Sequence, residues 1–338
     1  MDRPTAESLL AFAEQTSSDL DGLDRSVVFA ALEGRHDELL AAIQWFVDQQ
    51  RTDDALRTAR ALAGFWTASG KLEEGSKWLT RALALPGGTD GHRATASFEA
   101  GIIDFWLGAD ERARALHTEA LTIGRQMRDG NIVALALTGL ARLALRSDDV
   151  EQARTLCREA LEASQSTADP TGRANALHVL GVAAQMAGDL DEARTFMNER
   201  MDLARRMGKF GGLAVEAANL AMVEHQLGHI DRAHSLARES LEIAVRREDE
   251  WMFPYLLSRL AAVATARDQL TLGATLIGAA EKMMSTQGTA WPPDERPHYE
   301  QTVTTLKAGL GAKDFETASD RGRALSTKEA VRQALVTS

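Results

Sequence analysis

LALTGLARLALRSDDVEQARTLCREALEA, residues 135–163, carries the pattern that decides the fold. In it a small residue, Ala141, is followed by Asp148 seven positions on, Ala153 twelve on and Ala160 nineteen on. Working outward, the small anchor recurs as Ala63, Gly101, Ala141, Gly181, Ala221 and Ala261, with separations of 38, 40, 40, 40 and 40 residues. Seven residues after each anchor stands Gly70, Gly108, Asp148, Gly188, Gly228 or Asp268. Gly enters the left-handed conformation that ends a helix without a Cβ penalty, and Asp tolerates it better than most. Each anchor therefore sits on a helix that stops about two turns later. Twelve residues beyond the anchors come Gly75, Ala113, Ala153, Ala193, Ala233 and Gly273, and seven further on Ala82, Ala120, Ala160, Arg200, Ser240 and Ala280. Small residues two turns apart on one face predict a second, closely packed helix, from which Arg200 and Ser240 depart. Six helix-turn-helix units follow, each too thin to bury its own apolar face, so they must stack into an all-α solenoid.

This pattern resembles the tetratricopeptide repeat from about Asp53 to Ser285, with a period longer than the usual ~34 residues. The resemblance implies a right-handed superhelix of about six ~40-residue repeats. Residues 1–52 are expected to form an N-terminal helical cap in which Trp45 and Phe46 pack on the first repeat, 53–285 the repeats, and 286–338 a connector and C-terminal cap. Pro292, Pro293 and Pro297 mark that connector, and Ser326 with Glu329 reads as a capping box opening the last helix. A narrower resemblance rests on HDELLAAIQWFVDQQ from His36, FWTASGKLEEGSKWLTRAL from Phe65, and LIGAAEKM, WPPDERPHYEQ and GRALSTKEAVRQAL near the end. These stretches look like the C-terminal sensor half of bacterial LuxR-type and related STAND transcriptional regulators, in which a P-loop NTPase precedes the repeats. No G-x-x-x-x-G-K-[ST] run occurs, so the nucleotide switch is not expected, nor is a DNA reader after Ser338. The chain reads as a sensor or scaffold arm without motor or reader.

Composition agrees with a folded protein: 44% hydrophobic and 26% charged residues in a chain of 338. A formal charge of −11 argues against direct nucleic-acid binding, which needs clustered Lys and Arg. The start, MDRPTAESLLAFAEQ, lacks a basic n-region, a single cysteine cannot form an internal disulfide, and no apolar run is long enough for a membrane span. A cytoplasmic protein is the expectation.

Residue constellations that could carry chemistry have structural explanations. The pairs Glu73–Glu74, Asp110–Glu111, Asp148–Asp149 and Asp191–Glu192 all fall at the start of a second helix, where carboxylates complement the exposed N–H groups. His225 and His229 have metal-ligand spacing, but Gly228 breaks the helix between them and no HExxH motif occurs. Cys157 lies between Ala153 and Ala160 on a packed face, as a buried hydrophobe does. The six Trp read as packing anchors. No catalytic residue, metal or cofactor is expected.

In tetratricopeptide-like arrays the first helix of each pair lines a concave groove, and offsets −6, −3, +1, +4 and +5 from the anchor form one stripe. No Asp or Glu stands at these 30 positions, although acids make up 49 of 338 residues. The expected ligand contacts are Arg57, Arg60, Phe98, Ile102, Phe105, Trp106, Arg142, Arg146, Asn175, His178, Gln185, Met222, His225 and Tyr255. Arg142 and Arg146 would supply charge, and Phe98, Phe105 and Trp106 an apolar platform, for a protein segment, peptide or acidic small ligand. The expected function is a non-enzymatic scaffold or sensor in a bacterial regulatory pathway. Its partner would be a protein or peptide, with an acidic segment or a separate NTPase or regulator chain among the candidates. The alternative is self-assembly into a homo-oligomer without a groove ligand.

Overall fold

Every helix stop that the spacing predicts adopts the left-handed conformation: φ is 71° at Gly70, 73° at Gly108, 60° at Asp148, 83° at Gly188, 80° at Gly228 and 60° at Asp268. In each case the next residue's N–H reaches back to a carbonyl five residues earlier at 2.9 Å, from Lys71 to Trp66, Ala109 to Asp104, Asp149 to Ala144, Asp189 to Ala184, His229 to Glu224 and Gln269 to Ala264. These bonds satisfy carbonyls that the helix end would leave bare.

The computed structural model describes residues 1–287, 290–291 and 295–336, and over these the chain is all-α. Two compact units meet at Glu192 and Ala193. The first holds α1 (Arg3–Ser17), α2 (Arg25–Gly34), α3 (His36–Asp48), α4 (Thr52–Ala68), α5 (Leu72–Leu83), α6 (Asp90–Trp106), α7 (Asp110–Met127), α8 (Gly130–Arg146), α9 (Val150–Ala163) and α10 (Thr171–Ala187). The boundary falls in the first turn of α11 (Leu190–Met207). The second unit continues with α12 (Phe210–Gln226), α13 (Ile230–Arg247), α14 (Phe253–Ala266), α15 (Leu270–Thr286), α16 (Arg296–Leu310), α17 (Ala312–Ala324) and α18 (Thr327–Val336).

The repeat spacing places each anchor on the first helix of a pair and each following small residue on the second. Ala113, Ala153, Ala193 and Ala233 are 0% exposed, which leaves no room for a larger side chain at those crossings. Arg200, the departure from the rule, is half-buried. In the first unit α1 and α3 cover the first pair: Leu9 and Leu10 of α1 and Phe46 of α3 share a core with Leu56, Phe65 and Trp66. In the second unit α17 crosses α15 so closely that a Cβ on Gly278 would overlap the Ser319 carbonyl. The Ser326 N–H donates to Glu329 Oε2 at 2.9 Å, and the Glu329 N–H donates to Ser326 Oγ at 3.3 Å, the reciprocal cap expected of α18. Pro297 occupies the first turn of α16, where its missing N–H is not needed; Pro292 and Pro293 lie outside the described residues.

One buried side chain sets the spacing of α6, α7 and α8. His117 of α7 is 0% exposed and lies between two glycines, so that a Cβ on Gly101 of α6 or Gly139 of α8 would stand 2.5 Å from its Cε1. Neither ring nitrogen has a hydrogen-bond partner, and Phe98 flanks the ring at 5.6 Å between centroids. Burial, reinforced by the Arg142 charge, pushes His117 down from 6.5 to about 4. An unfolded chain binds a proton on this imidazole in the window between those values and the folded chain does not. Stability is therefore full above the unfolded value and falls as pH drops toward 4, by about 3 kcal/mol from this group. Urea denaturation between pH 7 and 4 is expected to show that slope in the wild type and its absence in His117→Leu; parallel profiles would contradict the buried neutral imidazole.

Candidate binding site on the stripe of the first helices

In the first unit two of the stripe's four arginines, Arg57 and Arg146, are engaged by carboxylates of the same unit. Glu14 of α1 grips Arg57 of α4 with both oxygens, at 2.9 Å from Nε and 2.6 Å from Nη2. Arg146 of α8 donates to the Phe105 carbonyl at 2.7 Å and to Asp110 at 2.6 Å, with its guanidinium 3.5 Å from the centre of the Phe105 ring. Arg60 is exposed, and its charge opposes the burial that pushes Glu99 up to about 7. Arg142 is half-buried and its charge reaches both His117 and Cys157. Burial dominates at Cys157, pushing the thiol up to about 12, so it is no nucleophile at neutral pH.

The aromatic platform divides. Phe98 and Phe105 are buried, at 8% and 9% exposure, while Trp106 beside them is 55% exposed. Ile102, Asn175, His178 and Gln185 are half-buried. Of the tryptophans, Trp66 and Trp78 are buried packing residues, whereas Trp106 and Trp251 stand more than half exposed. Acids are not missing from the first helices, and two of them, Asp104 and Glu224, turn inward. Asp104, 3% exposed, accepts from the Ser76 hydroxyl at 2.8 Å and from Arg112 at 3.0 Å. Glu224 in the second unit, 0% exposed, bonds His229 Nδ1 at 2.6 Å and accepts from Arg232 at 2.7 Å. His229 thus faces Glu224 from beyond the helix end at Gly228. Among the described residues no cluster of three or more His, Cys, Asp or Glu could hold a metal ion.

The second unit gathers the stripe into a cavity of about 440 Å³, within the range of small-ligand sites. Met222, His225 and Gln226 of α12 and Ser258, Ala262, Thr265 and Ala266 of α14 line it, all seven on the stripe. Tyr255 lies one turn before Ser258 and is half-buried in an aromatic row, with Trp251 at 6.3 Å and Trp291 at 5.8 Å between ring centres. The wall that the repeat spacing misses is α16, which supplies Glu295 at its N-cap, His298, Gln301, Thr302 and Thr305. Arg259 of α14, also outside the stripe, ties the walls together, donating to the Ala218 carbonyl of α12 at 2.9 Å and to Glu295 at 2.6 Å. Burial pushes His225 down, against the hydrogen bond it makes to the Ala262 carbonyl, and the neighbouring His298 adds to the lowering. The cavity has a small-residue floor, imidazoles and amides at its rim, and one internally matched Arg–Glu pair. It suits a ligand with both donors and acceptors.

Comparison with known proteins agrees on the fold. Residues 132–206 match the family model of the tetratricopeptide repeat. No curated protein sequence matches the chain. Among solved structures, a Rap protein complexed with competence and sporulation factor superposes with TM-score 0.59 at 11% identity, covering 97% of this chain and 99% of that one. The APC/C heterotetramer Cut9–Hcn1 gives 0.61 at 15% identity, covering 88% of this chain and 54% of that one. A STAND protein with a tetratricopeptide-repeat sensor from Pyrococcus horikoshii gives 0.50 at 12%, covering 95% and 55%. The chain thus spans about half the length of the latter two. At such identities the likeness is one of fold, and the fold is the helix-pair solenoid of tetratricopeptide-repeat proteins. Among the described residues no helix is long and apolar enough to cross a membrane.

Because Arg146 is committed to Phe105 and Asp110, Arg146→Ala is expected to lower stability by about 1–2 kcal/mol. Urea unfolding followed by tryptophan fluorescence measures this, and an unchanged midpoint would mean that the guanidinium is not structurally engaged.

Proposed function

We propose that this chain is a non-enzymatic scaffold or sensor that binds a segment of a partner protein, a peptide or an acidic small ligand on the stripe face of its first helices. The observation that carries the reading is the cavity of the second unit, whose α12 and α14 walls coincide with stripe positions defined from the repeat spacing alone. Met222, His225, Gln226 and Ser258 contact the ligand there, joined by His298 and Gln301 of α16. In the first unit Trp106 and Arg142 form the second contact region, with Arg60, Asn175, His178 and Gln185 along the same stripe. Tetratricopeptide-repeat architecture supports a protein-interaction role, since stacked helix pairs present a long continuous surface. The Rap protein complexed with competence and sporulation factor is one chain of this fold that holds a factor. The likeness to the repeat sensor of a signal-transduction ATPase supports a regulatory role in which a separate NTPase or regulator chain is the partner; the bacterial, transcription-linked setting rests on the sequence resemblance alone.

The test is affinity capture from native lysate followed by mass spectrometry of proteins and small molecules, comparing the wild type with Ala262→Phe, which fills the cavity, and with Arg142→Glu plus Arg146→Glu. Loss of one specific partner in the filled variant is the expected result. Loss only with the charge reversals, in a sample that circular dichroism shows to be still folded, would place the ligand in the first unit. The same partners in all three samples would overturn the reading, and a mass that rises with concentration in light scattering would then favour self-assembly.

A further inference from the structure

Arg259 and Glu295 stand in the lining of the second unit's cavity, where among the described residues there is no other Lys, Arg, Asp or Glu. Arg259 is the more deeply set: its side chain is 10% exposed, and that of Glu295 18%. Burying such a pair is costly unless the donors and acceptors that remain after pairing are also met. The guanidinium uses Nε on the Ala218 carbonyl at 2.9 Å and Nη2 on Glu295 Oε1 at 2.6 Å. Its Nη1 and the carboxylate's Oε2 have no partner among the described residues, and neither atom is sealed from solvent. One donor and one acceptor, carried by two groups in contact, are therefore left open to the cavity that both residues line.

The rest of the lining narrows what these two atoms can hold. Thr265, Thr302 and Thr305 donate their hydroxyls to carbonyls one turn back in their own helices, at 2.7, 2.9 and 3.0 Å, so their protons are already placed. Val263 is 3% exposed and Ala237 0%, and with the half-buried Met222 and Ala262 they give the pair an apolar flank. Gln226, Ala266, Gln301 and Thr305 are exposed, so the cavity stands open and a ligand enters it without any movement of α16.

We propose that the Arg259–Glu295 pair holds an α-ammonium group together with the oxygen next to it, as carried by the amino-terminal residue of a peptide or by a free amino acid with an aliphatic side chain. Glu295 Oε2 accepts from the ammonium, Arg259 Nη1 donates to the neighbouring carbonyl or carboxylate oxygen, and the aliphatic side chain lies on the flank of Met222 and Ala262. Both polar contacts are added to the ion pair without breaking it, so neither Arg259 nor Glu295 loses its counter-ion when the ligand binds. A ligand with a carboxylate alone, or an ammonium alone, would leave one of the two open atoms unmet. The assignment rests on the binding reading above, to which it adds the chemistry of the ligand.

The probes are L-leucylglycylglycine, its N-acetylated form and free L-leucine, each titrated into the full chain by isothermal calorimetry up to millimolar concentration. The free tripeptide is expected to bind, and N-acetylation, which removes the charge and needs no variant of the protein, to weaken it by at least roughly tenfold. Glu295→Gln keeps an acceptor for Arg259 and is expected to weaken the free tripeptide by a similar factor, with circular dichroism showing the fold intact. Leucine binding as tightly as the tripeptide would identify the free amino acid as the ligand, and tighter binding of the tripeptide a peptide end. Equal binding of the free and acetylated tripeptides would overturn the ammonium's role, and no binding of either leucine or the free tripeptide would overturn the proposal. If Ala262→Phe nevertheless loses its captured partner, the cavity reading stands and the amino-group assignment alone fails.

Discussion

Helices can stack at this period only where their backbones approach closely, and that steric requirement governs most of the molecule. The crossing points carry alanine or glycine because no larger side chain fits: Ala113, Ala153, Ala193 and Ala233 are wholly buried, and His117 fills the space that Gly101 and Gly139 leave between α6 and α8. Tight crossings fix the rotation of each helix about its own axis. Once rotation is fixed, so is the stripe that each first helix turns away from its pair. The surface available for recognition is therefore a by-product of the packing rule, repeated along each unit.

The electrostatics follow from the same geometry. Acidic side chains on the first helices that turn into the interior meet donors there, Asp104 with Ser76 and Arg112 and Glu224 with His229 and Arg232. Cations on the stripe are met by carboxylates from adjoining elements, Arg57 by Glu14 and Arg146 by Asp110. A chain of formal charge −11 thus keeps its stripe free of acids, and the second unit's cavity receives one only from outside the repeat, as Glu295. Such matched pairs contribute little net stability at partly exposed positions, and their role here is to hold elements in register.

Features that repeat were legible in the sequence. Six helix stops and the small crossings derive from spacing, because a repeated unit states each local rule several times, and the cap of α18 from its own Ser–Glu motif. What occurs once and carries no local motif was not legible. QGTAWPPDERPH reads as a connector from its prolines, yet from Arg296 on it belongs to α16, and a helix folding back along a groove leaves no periodic trace. Arg259 stands one position off the stripe, so only the arrival of Glu295 gives it a role. Likewise Glu14 lies 43 residues from Arg57, and nothing in either neighbourhood announces the pairing. The tryptophans show a different limit: Trp66 and Trp106 sit on first helices alike, but offsets of +3 and +5 from the anchor turn one inward and leave the other exposed.

The central claim is that recognition takes place on the stripe face and, in the second unit, within the cavity under α16. Site-specific photocrosslinking tests it most directly, with benzoylphenylalanine placed at Ser258 in the cavity and, separately, at Glu242 on the outward side of α13, in cells that express the protein. The account predicts a discrete crosslinked species from Ser258 and none from Glu242. Crosslinks from Glu242 alone would contradict it and move the binding surface to the second helices.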